Sequence, residues 1–335
     1  MLEATVEEIA AETDNRVVGL VMGSDSDLKT MRHAADALKD LGVKCDVQVR
    51  SAHRSPDYLF EYANEAEGKG LALIIAGAGG AAHLPGMTAS KTIVPVIGVP
   101  VVATPLRGVD ALLSIMQMPA EVGVATVGIG PAGADRAARF AASILALEND
   151  ALRARLAAGR PDLPPGRPGK NQFRARKVVV LAERGPQHEV LRHASGHFEK
   201  LGVLHDFRVV GETVTDLELS RAVAKDEDEG AAAFIAGSDQ GIGLACRVAR
   251  ATLLPVLAVP IVTGQVASID RFVQPFMEMP PGVATFAIGR PGAINAALFA
   301  ATFLSPPVSP LRDSLKKMRE EQERRVRAMN EHLPR

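Results

Sequence analysis

The chain of 335 residues carries one sequence template twice, and only the first copy holds side chains suited to chemistry. Leu41-Gly42-Val43 returns as Leu201-Gly202-Val203, Ala76-Gly77 as Ala236-Gly237, and Val99-Pro100 as Val259-Pro260, each 160 positions on. Met118-Pro119 returns as Met279-Pro280 and Gly133-Ala134 as Gly292-Ala293, within one residue of the same shift. A register kept so far along the chain is that of a duplicated domain, and the length suits two domains of about 150 residues. The copies part company where reactive groups would stand: Ser51-Ala52-His53-Arg54 becomes Gly211-Glu212-Thr213-Val214.

Each copy alternates strand and helix patterns. Val17 to Met22 is a continuous apolar run, the mark of a buried parallel strand. Leu28, Met31, Ala35 and Leu38 then repeat at helical spacing until Gly42 stops the helix. Val43, Cys45, Val47 and Val49 alternate as a second strand, and Ser55-Pro56 reads as the N-cap and first position of the next helix. Leu71 to Ala76, Val94 to Val99 and Val122 to Ile129 supply three more strands, and Asp135 to Leu147 a closing helix. Such alternation predicts a parallel sheet with helices on both faces, its ligand beyond the carboxyl ends of the strands.

These patterns divide the chain into a first domain over 1–160, a linker over 161–177 rich in proline and glycine, and a second domain over 178–335. Leu152, Arg153 and Leu156 match Leu311, Arg312 and Leu315, so each copy carries its own helical extension. The last extension runs to about Met329 around a thin apolar seam, which suits packing across a neighbouring domain or subunit as well as a solvated helix. A formal net charge of −1 gives no sign of nucleic-acid or anionic-membrane binding. Apolar runs such as Val94 to Val102 are short and broken by proline, so no membrane span is expected. Cys45 and Cys246 stand at non-equivalent points of the repeat, and Cys45 falls in an alternating strand, which favours a buried free thiol over a disulfide and a cytoplasmic location. Glu3, Glu7 and Glu8 leave the N-terminus without the basic and apolar regions of a secretory signal.

Three loops at strand ends carry the candidate site. Gly23-Ser24-Asp25-Ser26-Asp27 opens a helix, where free amides and the helix dipole favour a phosphate; the same residues serve equally as an ordinary cap. Ser51-Ala52-His53-Arg54 offers a base that titrates near neutrality beside a phosphate clamp, although a lone histidine is usually structural. Gly77 to Met87 is a run of small residues around His83 and Leu84, whose amides can approach a carboxylate or CO2, or simply form a tight turn. The three together at successive strand ends are hard to explain as structure alone. Zinc-type Cys/His spacing, a Gly-x-Ser-x-Gly elbow and a Walker Gly-Lys-Ser/Thr are absent.

Gly-Ser-x-Ser-Asp, Ser-Ala-His-Arg-x-Pro-Asp, Ala-Gly-x-Gly-Gly-Ala-Ala-His-Leu-Pro-Gly-Met and Gln117-Met118-Pro119 together resemble the class I N5-carboxyaminoimidazole ribonucleotide mutases of purine biosynthesis, over roughly residues 17–160. The resemblance implies two tandem flavodoxin-like three-layer α/β/α domains with parallel sheets, and no metal or organic cofactor. It implies substrate contacts from Ser24, Ser26, Asp27, Ser51, Ala52, Arg54, Gly77, Gly80, His83 and Leu84, with His53 as general acid/base. Arg54 suits the mutases; the animal-type carboxylases that use free CO2 tend to carry lysine there. Direct carboxylation of aminoimidazole ribonucleotide, a nicotinate-nucleotide carboxylase and a non-catalytic nucleotide-binding scaffold are the alternative functions.

Family members form octamers of single domains, so the duplicated chain is expected to form a tetramer with eight domains. One departure is Asp135-Arg136-Ala137, where the family reads a small residue before Asn-Ala; the second copy keeps that form at Ile294-Asn295-Ala296. In the second copy Arg184, Gln187, Thr213, Val214 and Gly243 replace Ser24, Asp27, His53, Arg54 and His83.

Overall fold

The computed structural model describes residues 14–160, 163, 176–183, 185–239, 241–262, 264 and 268–330. The predicted linker lies almost wholly outside the described residues, as do Arg184 and the side chain of Gln187. The first copy comprises β1 (Asp14–Met22), α1 (Leu28–Asp40), β2 (Val43–Val49), α2 (Pro56–Glu65), β3 (Leu71–Gly79), α3 (Leu84–Lys91), β4 (Val96–Val101), α4 (Val109–Met116), β5 (Val124–Thr126), α5 (Gly130–Leu145) and α6 (Asp150–Ala158). The second repeats the plan: β6 (Lys177–Glu183), α7 (Pro186–Leu201), β7 (His205–Val210), α8 (Asp216–Asp228), β8 (Ala231–Asp239), α9 (Gly243–Ala249), β9 (Val256–Ile261), α10 (Ile269–Met277), β10 (Val283–Thr285), α11 (Arg290–Leu304) and α12 (Pro310–Met329).

Within each copy the strands are parallel, in the order 2-1-3-4-5 of a flavodoxin-like sheet. The copies join edge to edge. β5 meets β10 antiparallel through Thr126 and Thr285, making one ten-stranded sheet in the order β2-β1-β3-β4-β5-β10-β9-β8-β6-β7. Two three-residue strands hold that joint, so most of the union comes from helices packed across it. One apolar core contains buried residues of α1 and α5 from the first copy and of α7 and α11 from the second. Phe140 of α5 stacks on Phe299 of α11 with ring centroids 6.1 Å apart. On the other face the first copy keeps a core of its own, whereas the second copy's core also takes in Leu112, Met116 and Ile129 of the first.

Repeat-equivalent residues make reciprocal bonds across the joint. Arg136 Nη1 donates to Met277 O at 2.9 Å, and Asn295 Nδ2 at its equivalent position donates to Pro119 O at 2.9 Å. The departure at Arg136 therefore keeps a cross-copy bond, its longer side chain reaching a carbonyl three residues before Pro280, the counterpart of Pro119. The helical extensions also cross: Arg312 of α12 pairs with Glu67 at 2.7 Å, and Arg153 of α6 with Glu227 at 3.5 Å. The first half of the α12 seam, Leu311, Leu315 and Met318, packs against the apolar core that the two copies share, while Val326 and Met329 farther on are exposed.

Several boundaries move from their sequence-based positions. β3 runs through Gly79, three residues past the expected end. β5 shrinks to three residues, and the closing helix starts at Gly130, with a proline in its first turn and five residues earlier than the apolar period suggests. Ser55 occupies the N-cap position of α2 without a side-chain cap; its hydroxyl donates to Ser51 O instead. Cys45 and Cys246 are free thiols, and Cys45, expected to be buried, is only partly so.

Candidate active site

The loops after β1, β2 and β3 converge. After β1, Ser24 caps a single 3-10 turn, Asp25–Asp27, in a reciprocal capping box: its amide donates to Asp27 Oδ2 at 3.0 Å while its hydroxyl faces the Ser26 amide. Ser26 Oγ donates to Ser24 Oγ at 3.0 Å. Burial raises the Asp27 pKa above its ordinary value, and the Ser24 and Gly23 amides and the Arg54 charge oppose that shift without cancelling it. Part of the pentapeptide is therefore an ordinary cap, as its composition allowed. Its hydroxyls nonetheless stand exposed at the strand end.

After β2, the exposed Arg54 is held from two sides. Its Nη2 donates to Gly23 O at 2.8 Å, and its backbone N and Nε reach Ser51 Oγ at 3.1 and 3.3 Å. Ser51 thus orients the guanidinium, which keeps free donors for an anion beside the Ser24–Asp27 turn. Ala52 is buried and serves the turn through its backbone.

The third loop brings the decisive contact. His53 Nε2 and His83 Nδ1 lie 2.8 Å apart, with the rings edge to face and their centroids 4.9 Å apart. At that distance one nitrogen carries a proton and the other accepts it. The chain turns sharply to place His83: Gly80 has φ +63° and Ala82, a buried non-glycine, φ +43°. Ser114 of α4 pins this turn by donating to Ala81 O. A side chain at Gly79 would strike Ala103 Cβ at 2.5 Å, so glycine there lets the loops after β3 and β4 touch. His83 then stands at the N-cap of α3, with Pro85 in the first turn.

Two expected site residues sit differently. Gly77 belongs to β3 and not to the loop; a Cβ there would fall 2.3 Å from Met31 Sδ, so its smallness serves packing against α1. Leu84 is buried, which leaves its backbone for any ligand contact. The segment after β4 was missed. Ala103 touches Gly79, Thr104 neighbours Gly80 and donates to Asp110 Oδ2 at 2.7 Å, and Arg107 has φ +54°. Pro105 followed by Arg107-Gly108, directly after a buried strand, was the available signal.

The second copy has no such pair. At the equivalent places, exposed Thr213 and Gly243 bring no titratable group. Arg247, where the first copy has Met87, ties α9 to that loop through Asp216 Oδ1 at 2.6 Å and the Val214 carbonyl. Among the described residues, no cluster of three or more His, Cys, Asp or Glu is placed to hold a metal ion, and no helix is long and apolar enough to cross a membrane.

The sequence matches the AIR carboxylase family over residues 17–163 and again over 177–325. The chain belongs to that family. A relative from Pseudomonas aeruginosa, named N5-carboxyaminoimidazole ribonucleotide mutase, is 64% identical over 129 residues, covering 38% of this chain and 79% of its own length. One of the same name from Bacillus subtilis is 56% identical over 140 residues, 42% of this chain and 86% of its own. The crystal structure of Treponema denticola PurE covers 43% of this chain and 89% of its own at 25% identity, with a TM-score of 0.40. Both family relatives match a single domain's worth of this chain, whereas the AIR carboxylase family signature occurs in both halves.

Proposed function

We propose that the first copy is an N5-carboxyaminoimidazole ribonucleotide mutase, which moves a carboxylate from the exocyclic nitrogen to ring carbon C4 of the ribonucleotide in purine biosynthesis. The observation that carries this reading is the His53–His83 contact of 2.8 Å beside the guanidinium of Arg54 and the Ser24–Asp27 turn. It combines a proton carrier with a phosphate clamp, in a chain whose relatives bear the mutase name.

The chemistry needs one proton and no redox change. Protonated His53 gives its proton to the carbamate nitrogen, the N–C bond breaks, and CO2 leaves with its electrons returned to nitrogen. The released ring is enamine-like at C4 and attacks the CO2 held beside it. His53, now neutral, removes the C4 proton and restores the aromatic ring, ready for the next cycle. In this assignment Arg54, the Ser26 hydroxyl and nearby amides hold the phosphate, and Asp27 accepts from the ribose. Ser24, the loop amides around Gly80 and the free edge of His83 surround the carboxylate. In the same assignment His53 Nε2 donates to His83 Nδ1, 2.8 Å away, which fixes the orientation of the His53 ring. Orientation and a trapped CO2 supply the remaining rate.

The purified chain incubated with N5-carboxyaminoimidazole ribonucleotide should form the C4 carboxylate without added bicarbonate. Turnover confined to aminoimidazole ribonucleotide plus bicarbonate would assign it to the carboxylases instead.

For the second copy we propose a scaffold role, supported by its lack of the histidine pair and by the cross-copy bonds of Arg136, Asn295, Arg153 and Arg312. Four chains would then build an eight-domain particle with four competent sites. A tetramer by light scattering supports this assembly, and a fully active monomer would sink it. The free thiols of Cys45 and Cys246 suit a reducing cytoplasm.

A further inference from the structure

A crevice opens between the copies at the end of the sheet away from His53. Its lining includes Pro95 just before β4 and Gly123 just before β5, so it lies at the amino ends of the strands whose opposite ends carry the site. Ile93, Val94 and Phe299 give it apolar walls, and Leu315, Met318 and Arg319 of α12 cover it.

Arg319 is anomalous there. Its Nε is buried and has no hydrogen-bond partner. Burial lowers its pKa to about 10, and no neighbouring carboxylate opposes the shift. The acid in the lining, Glu121, already pairs with Arg325, and the Thr302 hydroxyl donates to Phe299 O. The repeat supplies an internal reference. Arg160 holds the equivalent position after α6, and its Nη2 donates to Ala249 O at 3.2 Å. Ala89, the counterpart of Ala249, lines the crevice, yet Arg319 makes no matching bond to it. A guanidinium largely withdrawn from water, with no counter-charge and with no acceptor for its buried Nε, is costly, and a bound anion relieves that cost.

We propose that this crevice binds a small carboxylate with a short apolar body, its oxygens on the Arg319 guanidinium and its carbons against Ile93, Val94 and Phe299. A carboxylate fits the planar fork of arginine bidentately, and the walls favour a carbon chain over a bare inorganic anion. Such a ligand touches both copies at once and so strengthens their union.

Titration of the full chain with sodium butyrate, against sodium chloride at matched ionic strength and against neutral butyramide, tests this. Butyrate should bind by calorimetry and raise Tm, with butyramide weaker by roughly tenfold or more, the worth of a charge-assisted bond. Arg319→Met should abolish the butyrate effect, and Arg319→Lys should weaken it without erasing it. Arg319→Met should itself melt at or above the parent, because it removes a largely buried charge that has no partner, whereas Arg160→Met should melt lower. Butyrate acting no differently from chloride, or equally on Arg319→Met, overturns the proposal. So does an Arg319→Met chain destabilised as much as Arg160→Met, since Arg319 would then already be satisfied without a ligand.

Discussion

The loops after β2 and β7 begin from strands in the same register and end in different uses. In the first copy the loop presents His53 to His83 at 2.8 Å and leaves Arg54 exposed, tethered only through Gly23 O and Ser51. In the second, Arg247 of α9 is fastened to the loop by a hydrogen bond to the Val214 carbonyl and to the start of α8 by an ion pair with Asp216. Reactive groups kept free to meet a ligand have been exchanged for groups bonded to one another. Meanwhile the cross-copy contacts of the two halves stay reciprocal. Retention of the joint and loss of the site is the pattern expected when one domain carries chemistry and its duplicate carries structure.

The sharpest way to break that contrast is a matched pair of substitutions. His53→Asn should reduce kcat by ~10²–10⁴, the usual worth of one general acid/base, and by more because both proton steps use it. Substrate binding should survive, since the phosphate and ribose contacts lie elsewhere. Thr213→Ala at the equivalent place should leave kcat unchanged. Equal losses in the two variants would place chemistry in both copies.

Arg54→Ala should act on binding and not on turnover. Charge-assisted hydrogen bonds contribute about 1.5–3 kcal/mol, so KM should rise by roughly tenfold or more. Val214→Ala, its counterpart, should leave KM alone. A collapsed kcat with unchanged KM would move Arg54 from anchor to chemistry.

Much of this contrast was legible in the sequence because the repeat aligned the halves and made the missing histidines conspicuous. The parallel alternation of strands and helices and the three site loops followed from apolar runs punctuated by glycine, and the flavodoxin-like arrangement from the family resemblance. The histidine pair itself was not foreseen: His53 and His83 are thirty residues apart and meet only through the turn at Gly80 and Ala82. Gly77 misled because a glycine that admits Met31 reads like one that admits a ligand. The β5–β10 joint was equally hidden. Three-residue strands leave almost no periodic signal, and their pairing rests on Phe140 meeting Phe299 far along the chain.

Acidity within the first copy's site provides a smaller test. Asp27 carries a raised pKa because it is half-buried, so its carboxylate gains a proton at higher pH than an ordinary aspartate. Ribose binding should therefore weaken as pH falls through that raised value, earlier than a free aspartate would allow. In Asp27→Asn the acid-side rise in KM should disappear; its persistence would assign it to another group.

The smallest effect separates two clasps that look alike. Glu67 and Glu227 are repeat-equivalent, and each meets an arginine from the other copy's helical extension, yet their pKa values move in opposite directions. Burial pushes both upward. At Glu67 the hydrogen bonds and charges of Arg312 and Lys316 outweigh it, and the value ends below the ordinary 4.5. At Glu227 burial prevails over the Thr252 hydrogen bond and the Arg153 charge, and the value ends above 4.5. The difference follows from sequence: the place of Lys316 is taken in the first extension by Ala157, and Arg153 stands at 3.5 Å where Arg312 stands at 2.7 Å. Ionised Glu67 thus contributes stability that is full above its unfolded value and is lost as pH falls through its lowered one. Glu227 has the opposite sign, since its contribution is full below its unfolded value and is lost as pH rises through its raised one. Both pairs are partly exposed, so each effect should lie near the range of about 0–1 kcal/mol for solvent-screened ion pairs. Glu67→Gln should lower Tm at neutral pH by a degree or two, roughly the shift such an energy gives a chain of this size, and the difference from the parent should close on acidification. Glu227→Gln should leave Tm unchanged or raise it at neutral pH. Thermal unfolding of both variants from pH 7 down to pH 4 decides the matter, and parallel pH profiles would show that the two clasps are one design repeated.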